Sequence, residues 1–232
     1  MAIDIDYQAY QPIWHIVNGV NMGTINLREP SNKHFVYANY GLDDDVIDQF
    51  EVATDSGYVQ KCGTYDAMQH LLDLSRNAAS DDAYAQICQL LDIDEYCNYM
   101  AIEFYLRNAD WPENNCKGWR ARSVDGRFRF VLFDLEAMDW IDEPFDIFEM
   151  KRLSTFSYYT GNGSETATVQ VELQPIVLFF NLIKNPTFLK KFIDTFCLVA
   201  SSTFDPDRCE PIIRELCERV APTQALYHND SP

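Results

Sequence analysis

Basic charge is scarce in this chain: 18 lysines and arginines stand against 36 acidic residues, a formal charge of −18 over 232 residues. Such a surface repels phosphate backbones and anionic lipid, so nucleic acids and membrane surfaces are poor partners. Long apolar runs are missing too. None exceeds the run at 176–180, far short of the roughly 20 residues that span a bilayer. The opening Met1-Ala2-Ile3-Asp4-Ile5-Asp6 carries acid where a secretion signal carries base, so no signal peptide is expected. The seven cysteines (Cys62, Cys88, Cys97, Cys116, Cys197, Cys209, Cys217) form no C-x-x-C pair, which argues against a zinc site. Their odd number leaves at least one thiol free within a monomer. There is no internal repeat and no low-complexity tract.

What is present is ample material for a core. Hydrophobic residues make up 47% of the chain and aromatics 14%, a composition that buries surface rather than one that stays disordered. The pattern begins with a hairpin: residues 13–17 alternate as a strand, Asn18-Gly19 is a tight turn, and 22–27 return. Pro30 stops the sheet. Ser31 is placed to cap a short helix that runs to about Tyr40 and closes at Gly41. Residues 47–53 and 57–62 read as a second hairpin.

From Thr64 the period changes to that of helices. Met68, Leu71, Leu72 and Ser75 fall on one face, Ser80 opens a second helix, and Asp94 opens a third. That third helix is apolar nearly all round (Tyr96, Tyr99, Met100, Ile102, Phe104, Leu106), the mark of an element central to its domain. A hairpin turning at Asp125-Gly126 follows. The stretch 136–168 reads as irregular, with Gly161-Asn162-Gly163-Ser164 as its most flexible part. Three helices at about 173–184, 186–201 and 206–220 finish the chain. The fold expected is α+β: a small antiparallel β-rich part over 1–63, then a mainly helical part over 64–232.

Chemistry is concentrated in two segments. Asn108-Ala109-Asp110-Trp111-Pro112-Glu113-Asn114-Asn115 leaves the central helix, and Phe133-Asp134-Leu135-Glu136 ends the hairpin after it. Phosphoryl transfer needs a carboxylate to orient and deprotonate the attacking hydroxyl, and an amide oxygen plus a second carboxylate to hold Mg²⁺ on the phosphates. Protein kinases place these as Asp-x-x-x-x-Asn after a buried helix and an Asp after a strand. Asp110 and Asn115 have that spacing, and Asp134 follows the strand. Asp and Asn are also ordinary turn residues, and a structural loop accounts for the first segment equally well.

Three stretches resemble the CotH (spore-coat protein H) kinase family. They are Val17 to Glu29, which is similar to N-G-x-x-x-G-x-Y-x-L-x-E; Asp110-Trp111 with Asn114-Asn115, similar to D-W-x-x-N-N; and Phe130 to Glu136, similar to a strand ending in D-L-D. The resemblance implies an atypical protein-kinase-like fold that uses ATP and Mg²⁺ to phosphorylate proteins, often secreted or surface ones. It makes Asp110 the catalytic carboxylate. Asn115, with Asn114 as the alternative, becomes a metal ligand alongside Asp134 and Glu136. Glu29, where the sheet passes toward the next helix, contacts nucleotide or caps the helix after Ser31. The family's second Asp is Glu136 here, one methylene longer, and its lysine-bearing strand has no counterpart in the lysine-free 1–12. The chain is therefore expected to lack the first part of the smaller lobe and to bind triphosphate weakly. The nearest basic residues to the site in sequence are Arg107, Lys117, Arg120 and Arg122. A pseudokinase-type binding module is the alternative reading. The partner implied is a protein substrate; oligomeric state is not legible.

Overall fold

The computed structural model describes residues 3–52, 58–112, 114–139, 146–148, 155–159, 166–170 and 174–229. The fold is α+β. Strand β1 (Asp6–Tyr7) leads into a long hairpin of β2 (Tyr10–Val17) and β3 (Val20–Arg28). Its loop is Asn18-Gly19 with φ of 52° and 82°, the pair of positive values that lets a two-residue connection match the strands' twist. Helix α1 (Lys33–Tyr40) is capped by Asn32, whose side chain accepts from the His34 N–H; Gly41 ends it at φ 68°. The cap expected at Ser31 is one residue late, because the Ser31 hydroxyl accepts from Lys117 Nζ at 3.0 Å instead.

Next come β4 (Ile47–Glu51) and β5 (Val59–Cys62), then α2 (Asp66–Ser75), α3 (Asp81–Ile87) and α4 (Ile93–Leu106). The turn expected at 55–57 lies outside the described residues. Helix α4 is capped by Asp92 rather than by Asp94, which sits in the first turn and pairs with Lys191. Strands β6 (Lys117–Ala121) and β7 (Arg129–Leu132) follow. The stretch expected to be irregular contains β8 (Thr155–Tyr159) paired antiparallel with β9 (Thr166–Gln170); the Gly161–Ser164 tract between them lies outside the described residues. Helices α5 (Gln174–Leu182), α6 (Pro186–Leu198) and α7 (Pro206–Asn229) close the chain.

The main sheet has five strands in the order β1-β7-β6-β4-β5. A sheet built within residues 13–62 alone is therefore corrected. The β2–β3 hairpin is a sheet of its own, and β4 pairs with β6 from beyond the helices. Asp48 on β4 faces Arg120 on β6 and binds it at 2.7 Å; Arg122 reaches the same carboxylate at 3.1 Å, and the Thr64 N–H donates to it at 2.9 Å. One buried carboxylate thus joins two hairpins and the start of α2. Strand β1 is parallel to β7, with Asp6 opposite Val131. Asp6 is fixed by Trp119 Nε1 at 2.8 Å and by the Tyr40 hydroxyl.

Helix α4 runs through the centre of the core, as its all-round apolar pattern requires: Tyr96, Cys97, Tyr99, Met100, Ala101 and Phe104 are all buried. Cys97 and Cys116 are buried, and burial pushes the Cys97 thiol up to about 12; Cys197 is exposed.

Glu95, also on α4, is buried and accepts the Phe130 N–H at 3.1 and 3.2 Å. Burial holds its carboxyl well above the usual range, the nearby Asp6 adds to the rise, and the bond from Phe130 opposes it. A raised folded-state value means the folded chain keeps a proton that the unfolded chain has lost. This contribution is fully present below about pH 4.3 and is lost as pH rises through the raised value. The wild-type free energy of unfolding, from urea titrations, is expected to fall relative to Glu95→Gln as pH climbs above that point, by at most about 1.4 kcal/mol per pH unit. Parallel pH profiles for the two proteins would refute it.

Candidate functional site

The loop after α4 is anchored before it is functional. Arg107 ends the helix at φ 55°, an unusual conformation for a residue with a side chain. Asn108 is fully buried; its N–H bonds the Glu103 carbonyl at 3.2 Å and its amide donates to the Glu103 carboxylate at 2.9 Å. Asp110 follows, then Trp111, fully buried, with a ring at 5.7 Å from Phe104 and 6.1 Å from Tyr99. The indole N–H donates to the Tyr99 hydroxyl at 2.7 Å. Tyr99 in turn stacks on Phe130 at 5.2 Å. A continuous aromatic contact therefore runs from the residue beside Asp110 to the strand that ends at Asp134.

Asp110 and Asn115 come together as their spacing suggested: Asn115 Nδ2 donates to Asp110 Oδ2 at 2.9 Å. Asn115 sits at φ 54° and Asp134 at φ 57°. Asn and Asp are the side-chain-bearing residues that best tolerate this left-handed region, so the backbone alone already favours these residue types. Among the described residues, three of the four with positive φ other than glycine, Arg107, Asn115 and Asp134, lie on these two loops. Local strain held in place by surrounding structure is common where side chains must be aimed. The two loops touch through the Ala109 N–H and the Ala137 carbonyl at 3.4 Å.

Asp134 and Glu136 also come together, through a residue that pattern reading did not select. Arg28, the last residue of β3, places Nη1 at 3.2 Å from Asp134 Oδ1 and Nη2 at 3.6 Å from Glu136 Oε2. These three residues line a cleft of about 470 Å³. Tyr7, Gln8, Tyr10 and Asn26 line it as well, and Ile5, Leu132, Phe133 and Leu135 supply apolar surface. The cleft forms because β1 continues β7's edge (Gln8 N–H to Leu132 carbonyl, 3.0 Å) and the hairpin springs from β1 (Glu29 N–H to Ala9 carbonyl, 2.8 Å). The signal for Arg28 was available: it is the only lysine or arginine in 13–29, and period-two alternation puts it on the face of Asn26.

Glu29 points elsewhere. Its carboxylate accepts from Asn39 Nδ2 at 2.8 Å on α1, and it neither caps that helix nor lines the cleft. Asp110 and Asn115 are not among the cleft-lining residues either. The basic residues nearest in sequence serve other ends. Arg120 and Arg122 are held by Asp48, and Lys117 lies over the Phe133 ring at 4.9 Å with its ammonium on Ser31. Among the described residues no three His, Cys, Asp or Glu side chains gather as a metal cluster, and no helix is long and apolar enough to cross a membrane.

A buried helix, an Asp-to-Asn loop, a hairpin and a strand-end Asp, set beside a mixed sheet in an α+β frame, define a kinase-like domain. A family model described as CotH kinase protein matches residues 1–230, and the chain belongs to that family. No curated protein matches it.

Proposed function

We propose that this chain is a phosphotransferase domain that takes the terminal phosphoryl group of ATP, with Mg²⁺, to a hydroxyl of a protein. The observation that carries the reading is the pairing of Asp134 and Glu136 on one cation at the mouth of the 470 Å³ cleft. Two carboxylates that share a guanidinium carry the charge to attract a divalent ion in its place. Mg²⁺ takes only one or two carboxylates from a protein, the rest coming from phosphates and water, so a three-carboxylate cluster is not required. Asp134 and Glu136, which line the cleft, would hold the ion; Asn115 does not line it and is left to position Asp110. When bound, the ion neutralises charge on the phosphates.

The chain's own residues do the remainder. Asp110 is held by Asn115 with one carboxylate oxygen and orients the acceptor hydroxyl, taking its proton as the phosphoryl group leaves. Phe133 and Leu135 offer apolar surface to a nucleotide, and Tyr7 and Tyr10 offer ring faces. Affinity is limited by charge, since Arg28 is the only lysine or arginine among the described residues that line the cleft.

Calorimetric titration with ATP, with and without Mg²⁺, tests the reading. Binding is expected only with Mg²⁺, at a dissociation constant weaker than the micromolar range, and is expected to vanish in Asp134→Ala. Binding that is indifferent to both Mg²⁺ and Asp134 would sink it.

A further inference from the structure

The cleft has a charge problem that its own residues solve in one state but not in another. Asp134 and Glu136 bring two negative charges, and Arg28 brings the one positive charge among the described residues that line the cleft. In that condition the cleft is net negative and repels a triphosphate, which carries about four negative charges at neutral pH. Yet Arg28 is bonded to the same carboxylates that a divalent ion would take. The two cations compete for one pair of groups.

We propose that Arg28 is a stand-in cation. It neutralises Asp134 and Glu136 while the cleft is empty, and it passes to the phosphate oxygens of a nucleotide when a divalent ion takes those carboxylates. The inference rests on the phosphotransfer reading above and adds a residue and a coupling to it. Three features support the handover. Arg28 is the last residue of β3 and its side chain is 46% exposed, so its guanidinium is not locked in a core. Its long stem reaches from the hairpin across the cleft mouth, and its planar fork matches phosphate as well as carboxylate. The exchange also reverses the charge of the cleft, from one net negative to one net positive, just where phosphates enter. Lys117, the other basic side chain near the site, is tied to Ser31 and does not line the cleft.

The consequence is a split that a purely structural arginine would not produce. Removing Arg28 should make the divalent ion bind more tightly and the nucleotide more weakly. The experiment titrates Mn²⁺ alone into wild type, Arg28→Gln, Arg28→Lys and Asp134→Asn, followed by ATP at saturating Mg²⁺. Arg28→Gln is expected to tighten Mn²⁺ by about two- to fivefold, the worth of a partly exposed ion pair. It is expected to weaken ATP by about tenfold or more, the loss of a charge-assisted contact. Arg28→Lys, which keeps the charge and tests against a folding artefact, is expected to stay close to wild type for Mn²⁺ and to recover part of the ATP affinity. Mn²⁺ affinity unchanged or weakened in Arg28→Gln, or ATP affinity unchanged, overturns the role of Arg28. If Asp134→Asn still loses Mn²⁺ in that case, the site stands without the handover. If Mn²⁺ binds none of the proteins, or binds Asp134→Asn as well as wild type, both readings fall.

Discussion

Replacement of Trp111 by alanine is expected to lower stability by about 3–5 kcal/mol, the range for emptying a large aromatic site in a packed core. The indole is fully buried between Phe104 and Tyr99, and its N–H is the partner of the Tyr99 hydroxyl. The alanine variant loses the ring volume and also leaves that hydroxyl without its donor, each a cost in itself. Urea unfolding measures the sum. Trp111→Phe separates the parts: it keeps most of the volume and gives up the hydrogen bond, with an expected loss of about 1–2 kcal/mol. Equal losses in the two variants would mean that packing contributes little here. Because Trp111 directly follows Asp110, the phenylalanine variant also shows how strongly the aromatic contact aims the carboxylate.

Asp110→Asn is the second large effect. The substituted side chain keeps an oxygen for the bond from Asn115, so the loop geometry is retained while the proton acceptor is lost. Phosphoryl transfer, read as ADP release in the presence of a hydroxyl-bearing acceptor protein, is expected to fall by about 10²–10⁴-fold, the usual worth of a positioned base. ATP affinity is expected to stay within about twofold of wild type, because Asp110 is not among the residues lining the cleft. A parallel loss of affinity would make Asp110 a binding residue. Turnover unchanged would remove it from the chemistry.

Parts of this site were legible in the sequence because their causes are local. Asn18-Gly19 can close only a tight hairpin, α4 is apolar nearly all round and so must be central, and a separation of five positions brings the side chains of Asp110 and Asn115 together across one loop. The cap at Asn32 rather than Ser31 is a one-residue choice between two good capping groups, decided by Lys117 from β6, which no local pattern contains. The pairing of β4 with β6 was hidden for the same reason: Asp48 and Arg120 are partners across three intervening helices. The β8–β9 hairpin escaped although 155–158 and 166–170 alternate polar with apolar residues, because each strand is only five residues long and a Gly-bearing tract lies between them. Arg28 was missed because its meaning lies wholly in two carboxylates 106 and more positions away.

That last separation has a consequence for how the molecule is made. The cleft exists only where β1 lies along β7 and the hairpin leans over Asp134, contacts that join the first thirty residues to the chain beyond residue 130. Closing a loop of such length before any contact rewards it is entropically costly, and topologies dominated by distant pairings fold slowly. A growing chain on the ribosome holds β1 and the hairpin for several seconds before β7 emerges, at synthesis rates of about 5–20 residues per second. Through that interval Trp14, Ile16, Val20, Met22 and Leu27, exposed even in the finished fold, stand on an unsupported pair of strands. The hairpin that carries Arg28 is thus the segment most in need of protection during synthesis, and the first place to look when the protein is recovered as an aggregate.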